Sequence, residues 1–412
     1  MKIKVRPEDF VVQEQAEVEL DPSSGPFAVY ELAKRQWDSF DLLAYLARRL
    51  GVERQDVRLA GLKDRFGDTA QLVSVRLAGR PSARLPAQLQ DKGFSLSLRG
   101  YARQPLSARD LAGNFFRIVV RDIDPHASGR CRQAVEAVRE AGLPNYYDEQ
   151  RFGSARHGQG FMGKELFLGH REQALRLYFT PSRFDDRRTR GLKSCVTEHW
   201  GRWAECLPLA FGDYRPLLEY LDGHHKAFRQ ALGRLDRRYL VFVLNAYQSY
   251  LFNEILVGRL IRLASEHGFR LLTRSYRHGR FLYPQELPAS LREELAGERL
   301  PVPGFDSEVA DPAVREIAEA VLAGEGIGWS DLRVRQLSGL RVHGVQRAAL
   351  VFPRDLVVGE PAHDELYPGR HQLTLEFFLP RGSYATLLLK RMEAVPLAAN
   401  LFPSPAAPET TA

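Results

Sequence analysis

The stretch Ala60–Gln71, AGLKDRFGDTAQ, decides how the rest of the chain is read. It lies between two apolar segments, Val57–Leu59 and Leu72–Leu77. In the second, Val73, Val75 and Leu77 alternate with polar neighbours, the period of a half-buried strand. Lys63, Asp64 and Arg65 are therefore expected to project from a tight connection at a sheet end, in a loop shaped by Gly61 and Gly67. Loops held by a rigid scaffold are where chemistry usually sits. Asp64 is thus the candidate reactive carboxylate: flanked by two cations, it can act as nucleophile or base. Taken alone, such a triplet is more often a solvated charged turn.

Outward from this loop, residues 1–20 read as a strand pair interrupted by RPED. Leu42, Leu43, Leu46 and Leu50 mark one face of a helix over Ser39–Leu50, stopped by Gly51. Phe94–Tyr101 and Phe115–Arg121 are further strands, and Arg130–Glu140 an amphipathic helix. The texture changes near Ser154, after the aromatic and charged run NYYDEQRFG (Asn145–Gly153), whose rings and arginines suit either stacking on unpaired bases or packing at a boundary. Helical patterns then dominate, with the basic segment RFDDRRTRGLK (Arg183–Lys193) and a long core helix over Arg237–His267. A helix near Pro312–Ala323 precedes a return to sheet-like sequence, where Leu373, Leu375, Phe377 and Leu379 alternate before a turn and a last helix. Pro396–Ala412, rich in Pro and Ala, reads as a disordered tail.

Composition bounds the function. The 412 residues carry a formal charge of +7, with nine lysines against 49 arginines, which favours a polyanionic partner, nucleic acid first among them. The opening MKIKVRPEDF carries no secretory signature, and no apolar run approaches the roughly 18–20 residues of a membrane span, so a soluble cytoplasmic protein is expected. Cys131, Cys195 and Cys206 form no C-x-x-C pair or common zinc spacing, and are read as buried packing without disulfides or metal. Phosphate-loop, dinucleotide, zinc-protease and serine-hydrolase signatures are all missing. A carboxylate acting on nucleic acid remains.

GLKDRFGDTAQ also resembles the signature of the TruD-type tRNA pseudouridine synthases, G-x-K-D-x-x-A-x-T-x-Q. Four further landmarks follow in family order: RPEDFVVQE, AGNFFRIVV (Ala112–Val120), PNYYDEQRFG (Pro144–Gly153) and FFLPRGSYAT (Phe377–Thr386). The resemblance implies an α/β (α+β) fold. Residues 1–141 and 352–395 would form a discontinuous pseudouridine-synthase catalytic domain with a largely antiparallel sheet, interrupted by a helix-rich inserted domain over 142–351. It implies isomerisation of uridine to pseudouridine, typically uridine-13 in the D-arm of tRNA, without cofactor or metal and with no obligate protein partner. Carried onto this chain, it makes Asp64 the nucleophile and Lys4 its ion-pair partner. Phe10, Asn114, Phe116 and Tyr384 become substrate-binding residues, the rings stacking on an extruded base and the amide reading its edge. Gly67 departs from the usual Ala, Tyr384 adds a hydroxyl where Phe is common, and Tyr-Asp stands in NYYDEQRFG where NYFG is common. A noncatalytic RNA-binding protein of the same fold is the alternative, and a carboxylate-dependent nucleoside hydrolase a weaker one.

Overall fold

Period-two apolar runs scattered over the chain assemble into one large sheet in the computed structural model, which describes residues 1–77, 85–334, 337 and 339–398. The chain divides into two units: Met1–Leu143 with Val351–Glu393, and Pro144–Leu350 with the residues from Ala394 onward.

The first unit contains β1 (Phe10–Ala16), β2 (Phe27–Arg35), β3 (Val57–Leu59), β4 (Asp68–Arg76), β5 (Gln88–Asp91), β6 (Phe94–Ala102) and β7 (Leu111–Ile123). The strands Arg354–Val358 and His371–Pro380 complete the order, which runs Arg354–Val358, His371–Pro380, β7, β1, β4, β2, β6, β5. Among these pairings only β1 against β4 is parallel. Val73 and Val75 of β4 are fully buried, as their alternation requires, and pack with Leu42, Leu43 and Leu46 of α1 (Ser39–Leu50). The Asp38 carboxylate accepts from the amides of Phe40 and Asp41 at the start of α1, and Gly51 ends it at φ 65°, a left-handed turn that glycine adopts without a Cβ penalty.

The opening segment departs from the expected strand pair. The RPED interruption stays a 3₁₀ turn, Pro7–Asp9, tied by the Arg6 amide to the Asp9 carboxylate at 2.9 Å, and residues before it pair only where Lys2 bridges Arg121. β1 therefore finds its partners far along the chain, in β7 and β4.

The second unit is built around the 31-residue helix Arg237–His267, capped by Asp236 and ended by Gly268. Leu240, Val243, Leu244, Tyr247, Leu251 and Ile255 are all buried along it. The expectation that no segment is apolar enough for a membrane needs correcting. An 18-residue window of this helix reaches a mean hydropathy of 1.2, but 72% of that window is buried inside the protein, which makes it a core helix.

Two further expectations change here. Cys195 and Cys206 are joined as a disulfide, their Cα atoms 5.9 Å apart, because the helix Arg187–Glu198 packs against the turn Trp203–Leu209 around buried Trp203. Only Cys131 remains a free buried thiol, so the cysteines lend no support to a reducing compartment. Val395, assigned by sequence to the first unit, pairs with Thr273, and Pro396 with Leu272, in the strand Leu271–Tyr276. The chain thus returns to the second unit before the expected tail begins; residues 399–412 of that tail lie outside the described residues.

A buried carboxyl in this unit makes stability pH-dependent. Burial pushes Glu254 up to about 7 against the pull of Arg280, and its Oε1 has no partner among the described residues. The folded state keeps this proton where the unfolded chain releases it, so the contribution is present below pH ~4.5 and lost as pH rises through ~7, a span worth roughly 3 kcal/mol. In urea titrations, Glu254→Gln should gain stability relative to wild type as pH goes from about 5 to about 8; a pH-independent difference would show that Glu254 ionises normally in the folded protein.

Candidate active site

The loop between β3 and β4 is held from below by two lysines, neither of which faces solvent. Lys63 turns inward and its Nζ donates to Glu14 Oε2 at 2.5 Å, with side-chain exposures of 5% and 0%. Glu14 sits in β1 and also accepts from the Leu72 amide at 3.3 Å. Lys34, buried in β2, donates to the carbonyls of Asp64 at 2.8 Å, Trp37 at 2.9 Å and Lys63 at 3.4 Å. Burial pushes its ammonium below the usual lysine range, with Asp64 pulling the other way. Ser39, the first residue of α1, donates to the Lys63 carbonyl at 3.1 Å, and Gln71 donates to the Gly61 carbonyl at 3.1 Å. Gly67 runs so close to β1 that a Cβ there would lie 2.6 Å from the Phe10 carbonyl oxygen. That approach leaves no room for a side chain at this position.

Clamped this way, the Asp64 side chain turns outward and is 40% exposed. Lys4 Nζ meets its Oδ2 at 3.0 Å and lies 4.1 Å from the centre of the Phe10 ring. Lys4 has φ 56°, a left-handed backbone that a side chain adopts at a cost of about 1 kcal/mol or more. A buried hub steadies the segment that carries it. Arg121 in β7 pairs with Asp9 at 2.8 Å and Asp364 at 3.0 Å, all three nearly without exposure, and its backbone exchanges two 2.8 Å hydrogen bonds with Lys2. A half-exposed ion pair contributes only ~0–1 kcal/mol, too little to hold Lys4 in this conformation by itself. The Lys4–Asp64 contact is therefore the product of the surrounding structure.

The rings behind this pair form a stack. Phe10 meets Phe116 edge-on at 6.3 Å, and Phe116 stacks on Phe377 at 5.5 Å. Phe10 is 2% and Phe116 7% exposed, so both rings are packed, Phe10 beneath Lys4. Asn114 lies two residues before Phe116 in β7, on the same face by strand alternation; its Oδ1 is buried and lacks a partner among the described residues. Tyr384 caps the helix Ala385–Met392. It follows Pro380, which pairs with Gly113 next to Asn114. Lys4, Phe10, Asp64 and Phe116 thus form a direct contact chain, with Asn114 beside it; Tyr384 follows the paired strand end at the start of the last helix. Arg65 and Phe66 remain exposed beside the carboxylate.

Sequence reasoning missed the roles of Lys34, Asp9, Arg121 and Phe377, although Asp9 lies in RPEDFVVQE and Phe377 opens FFLPRGSYAT. Glu14 was visible in RPEDFVVQE and Gln71 in the signature, but no spacing rule connects either to the loop. One group could offer metal ligands among the described residues, Cys195, His199 and Cys206, with ligand atoms within 4.8 Å of one another. It belongs to the second unit, and its two sulfurs are bonded to each other.

The family model described as tRNA pseudouridine synthase D (TruD) matches residues 1–392. The chain belongs to the TruD family. Among TruD relatives, it is 30% identical over 399 residues to a probable tRNA pseudouridine synthase D 1 of Methanococcus maripaludis, covering 95% of this chain and 99% of the relative. A tRNA pseudouridine synthase D of Aquifex aeolicus is 26% identical, covering 95% and 98%. The crystal structure of a putative TruD from Methanosarcina mazei superposes with a TM-score of 0.72 at 25% identity, covering 95% of this chain and 93% of that one.

The Lys63–Glu14 pair can be tested by itself. Removing one partner of a buried pair strands the other charge at a cost of about 3–5 kcal/mol. Lys63→Met should lower unfolding stability by that order in denaturant titrations, with little dependence on salt. A loss below about 1 kcal/mol, the range of surface pairs, would mean that the pair is solvated.

Proposed function

We propose that this protein converts uridine to pseudouridine in tRNA with Asp64 as nucleophile, and that its target is uridine-13 of the D-arm. The observation carrying this reading is the Lys4–Asp64 ion pair at 3.0 Å over the Phe10 ring, in a loop that matches the family signature. The Asp64 carboxylate bonds to the target nucleotide, at the ribose C1′ or the uracil C6. The C1′–N1 bond breaks, the uracil turns in place, and C1′ bonds to C5. The hydrogen at C5 leaves as a proton and N1 gains one, so the product is an isomer of the substrate and no redox partner is required.

The chain's own groups supply three parts of this. Lys4 keeps a cation against the attacking carboxylate and compensates charge as it bonds and departs. The clamps on the Lys63 and Asp64 carbonyls hold the nucleophile still, which matters because ångström-scale misplacement costs orders of magnitude in rate. Asn114 offers an unsatisfied acceptor suited to a uracil N–H, an arrangement that a bound ligand completes. Phe10 and Phe116 act by supporting Lys4 and excluding water from the freed base. Action on tRNA places the protein in the cytoplasm.

Incubation with tRNA tritiated at uridine C5 should release tritium, and sequencing should place the product at position 13. Asp64→Asn should reduce release by at least about a thousandfold while leaving tRNA affinity within a few-fold. Wild-type protein that binds tRNA but releases no tritium would make it a noncatalytic RNA-binding protein, and free uracil in the assay would make it a hydrolase.

A further inference from the structure

The second unit contains a cavity of about 520 Å³ that the proposed reaction does not use. It draws on both sequence stretches whose aromatic and basic character the active site leaves unexplained: Gly153 ends NYYDEQRFG, and Phe184 and Lys193 belong to RFDDRRTRGLK. Phe184 and Phe242 line it and are 54% and 37% exposed. Both rings thus offer open faces to the cavity. Gly153 leaves room beside Phe242: a Cβ there would lie 3.6 Å from that ring.

Guanidinium groups lie over rings in and around the cavity. Arg156 and Arg183 lie 5.3 and 4.8 Å from the Phe184 ring centre, Arg188 lies 4.1 Å from that of Phe211, and Arg234 lies 3.9 Å from that of Tyr220. All four arginines are exposed, and none forms an ion pair among the described residues. The carboxylates on the same wall are mostly engaged. Asp185 pairs with Lys193 at 3.2 Å and accepts from the Ser182 amide, and Asp236, exposed, accepts from the Arg238 and Tyr239 amides as cap of the helix Arg237–His267; Asp213 is exposed as well. Tyr178, Tyr214 and Tyr239 add hydroxyls to the lining. Burial raises the pKa of all three, and Tyr178 and Tyr214 are hydrogen-bonded to each other.

We propose that this cavity binds one unpaired nucleotide of an RNA strand, its base against Phe184 and Phe242 and its flanking phosphates on Arg156 and Arg234. Stacking rings with unpaired guanidinium groups around a nucleotide-sized space match the two halves of a nucleotide, π-face and phosphate. A phosphopeptide would use the cations and leave the rings idle. The inference rests on the reading that this protein acts on RNA, and adds to it a contact for an unpaired base in the second unit.

The test uses the full chain and a fluorescein-labelled oligouridylate of about eight nucleotides, beside an abasic ribose-phosphate strand of equal length. Wild type should bind the base-bearing strand about tenfold or more tighter than the abasic one. Phe184→Ala with Phe242→Ala should remove most of that preference and leave abasic binding within about twofold. Both rings are exposed, so the fold should survive. Arg156→Ala with Arg234→Ala should weaken both strands and flatten the salt dependence. Phe184→Trp should retain binding, and its added fluorescence should be quenched by the base-bearing strand only. Equal affinity for the two strands, or a full base preference in the double phenylalanine variant, would overturn the inference. Its failure is separable from that of the proposed reaction: tritium release with unchanged oligonucleotide binding in the variants sinks only the nucleotide site, while base-dependent binding without tritium release sinks only the reaction.

Discussion

The buried pair between Lys63 and Glu14 is the constraint on which the candidate active site depends. In a solvated turn, Lys63, Asp64 and Arg65 would share one dielectric and one freedom of movement. Here the lysine is committed to a carboxylate of β1 with no exposure at all, and only excellent geometry makes such a pair tolerable. That commitment fixes which way the loop faces. With Lys63 turned in and Lys34 holding the backbone carbonyls, Asp64 has to point out.

A second constraint brings its partner. Lys4 occupies a left-handed backbone conformation that no local feature favours, since it is neither glycine nor asparagine. Arg121 makes the conformation affordable by pinning both sides of it, through Lys2 before and Asp9 after. The contact between Lys4 and Asp64 therefore joins two independently anchored segments sixty residues apart in sequence. Strain held in place by a buried ionic hub is what pre-organisation looks like in physical terms.

The regular elements were legible from local pattern. Val73 and Val75 announced β4, the leucines of Ser39–Leu50 announced α1, and the repeat from Leu240 to Ile255 announced the long core helix. Asp64 was legible because glycines and charges cluster around it. What local pattern could not carry is long-range pairing. Nothing in the neighbourhood of Glu14 points to Lys63, and nothing around Lys34 marks it as a clamp, because each depends on which strands lie side by side. The same limit explains the misjudged opening strand pair, the Cys195–Cys206 bond formed by helix packing, and the two-residue return of Val395–Pro396. The burial of Phe116 is of the same kind: a ring's exposure is decided by its neighbours across the sheet, here Phe377.

If placement of the carboxylate is what this architecture achieves, moving it should be almost as damaging as removing it. The direct measurement is single-turnover conversion of uridine to pseudouridine in tRNA by Asp64→Glu, quantified by nucleoside mass spectrometry. The account predicts a rate at least about a hundredfold below wild type, with tRNA affinity preserved. A rate within a few-fold of wild type would contradict it, showing that the clamps on the loop do not set the position from which the carboxylate reacts.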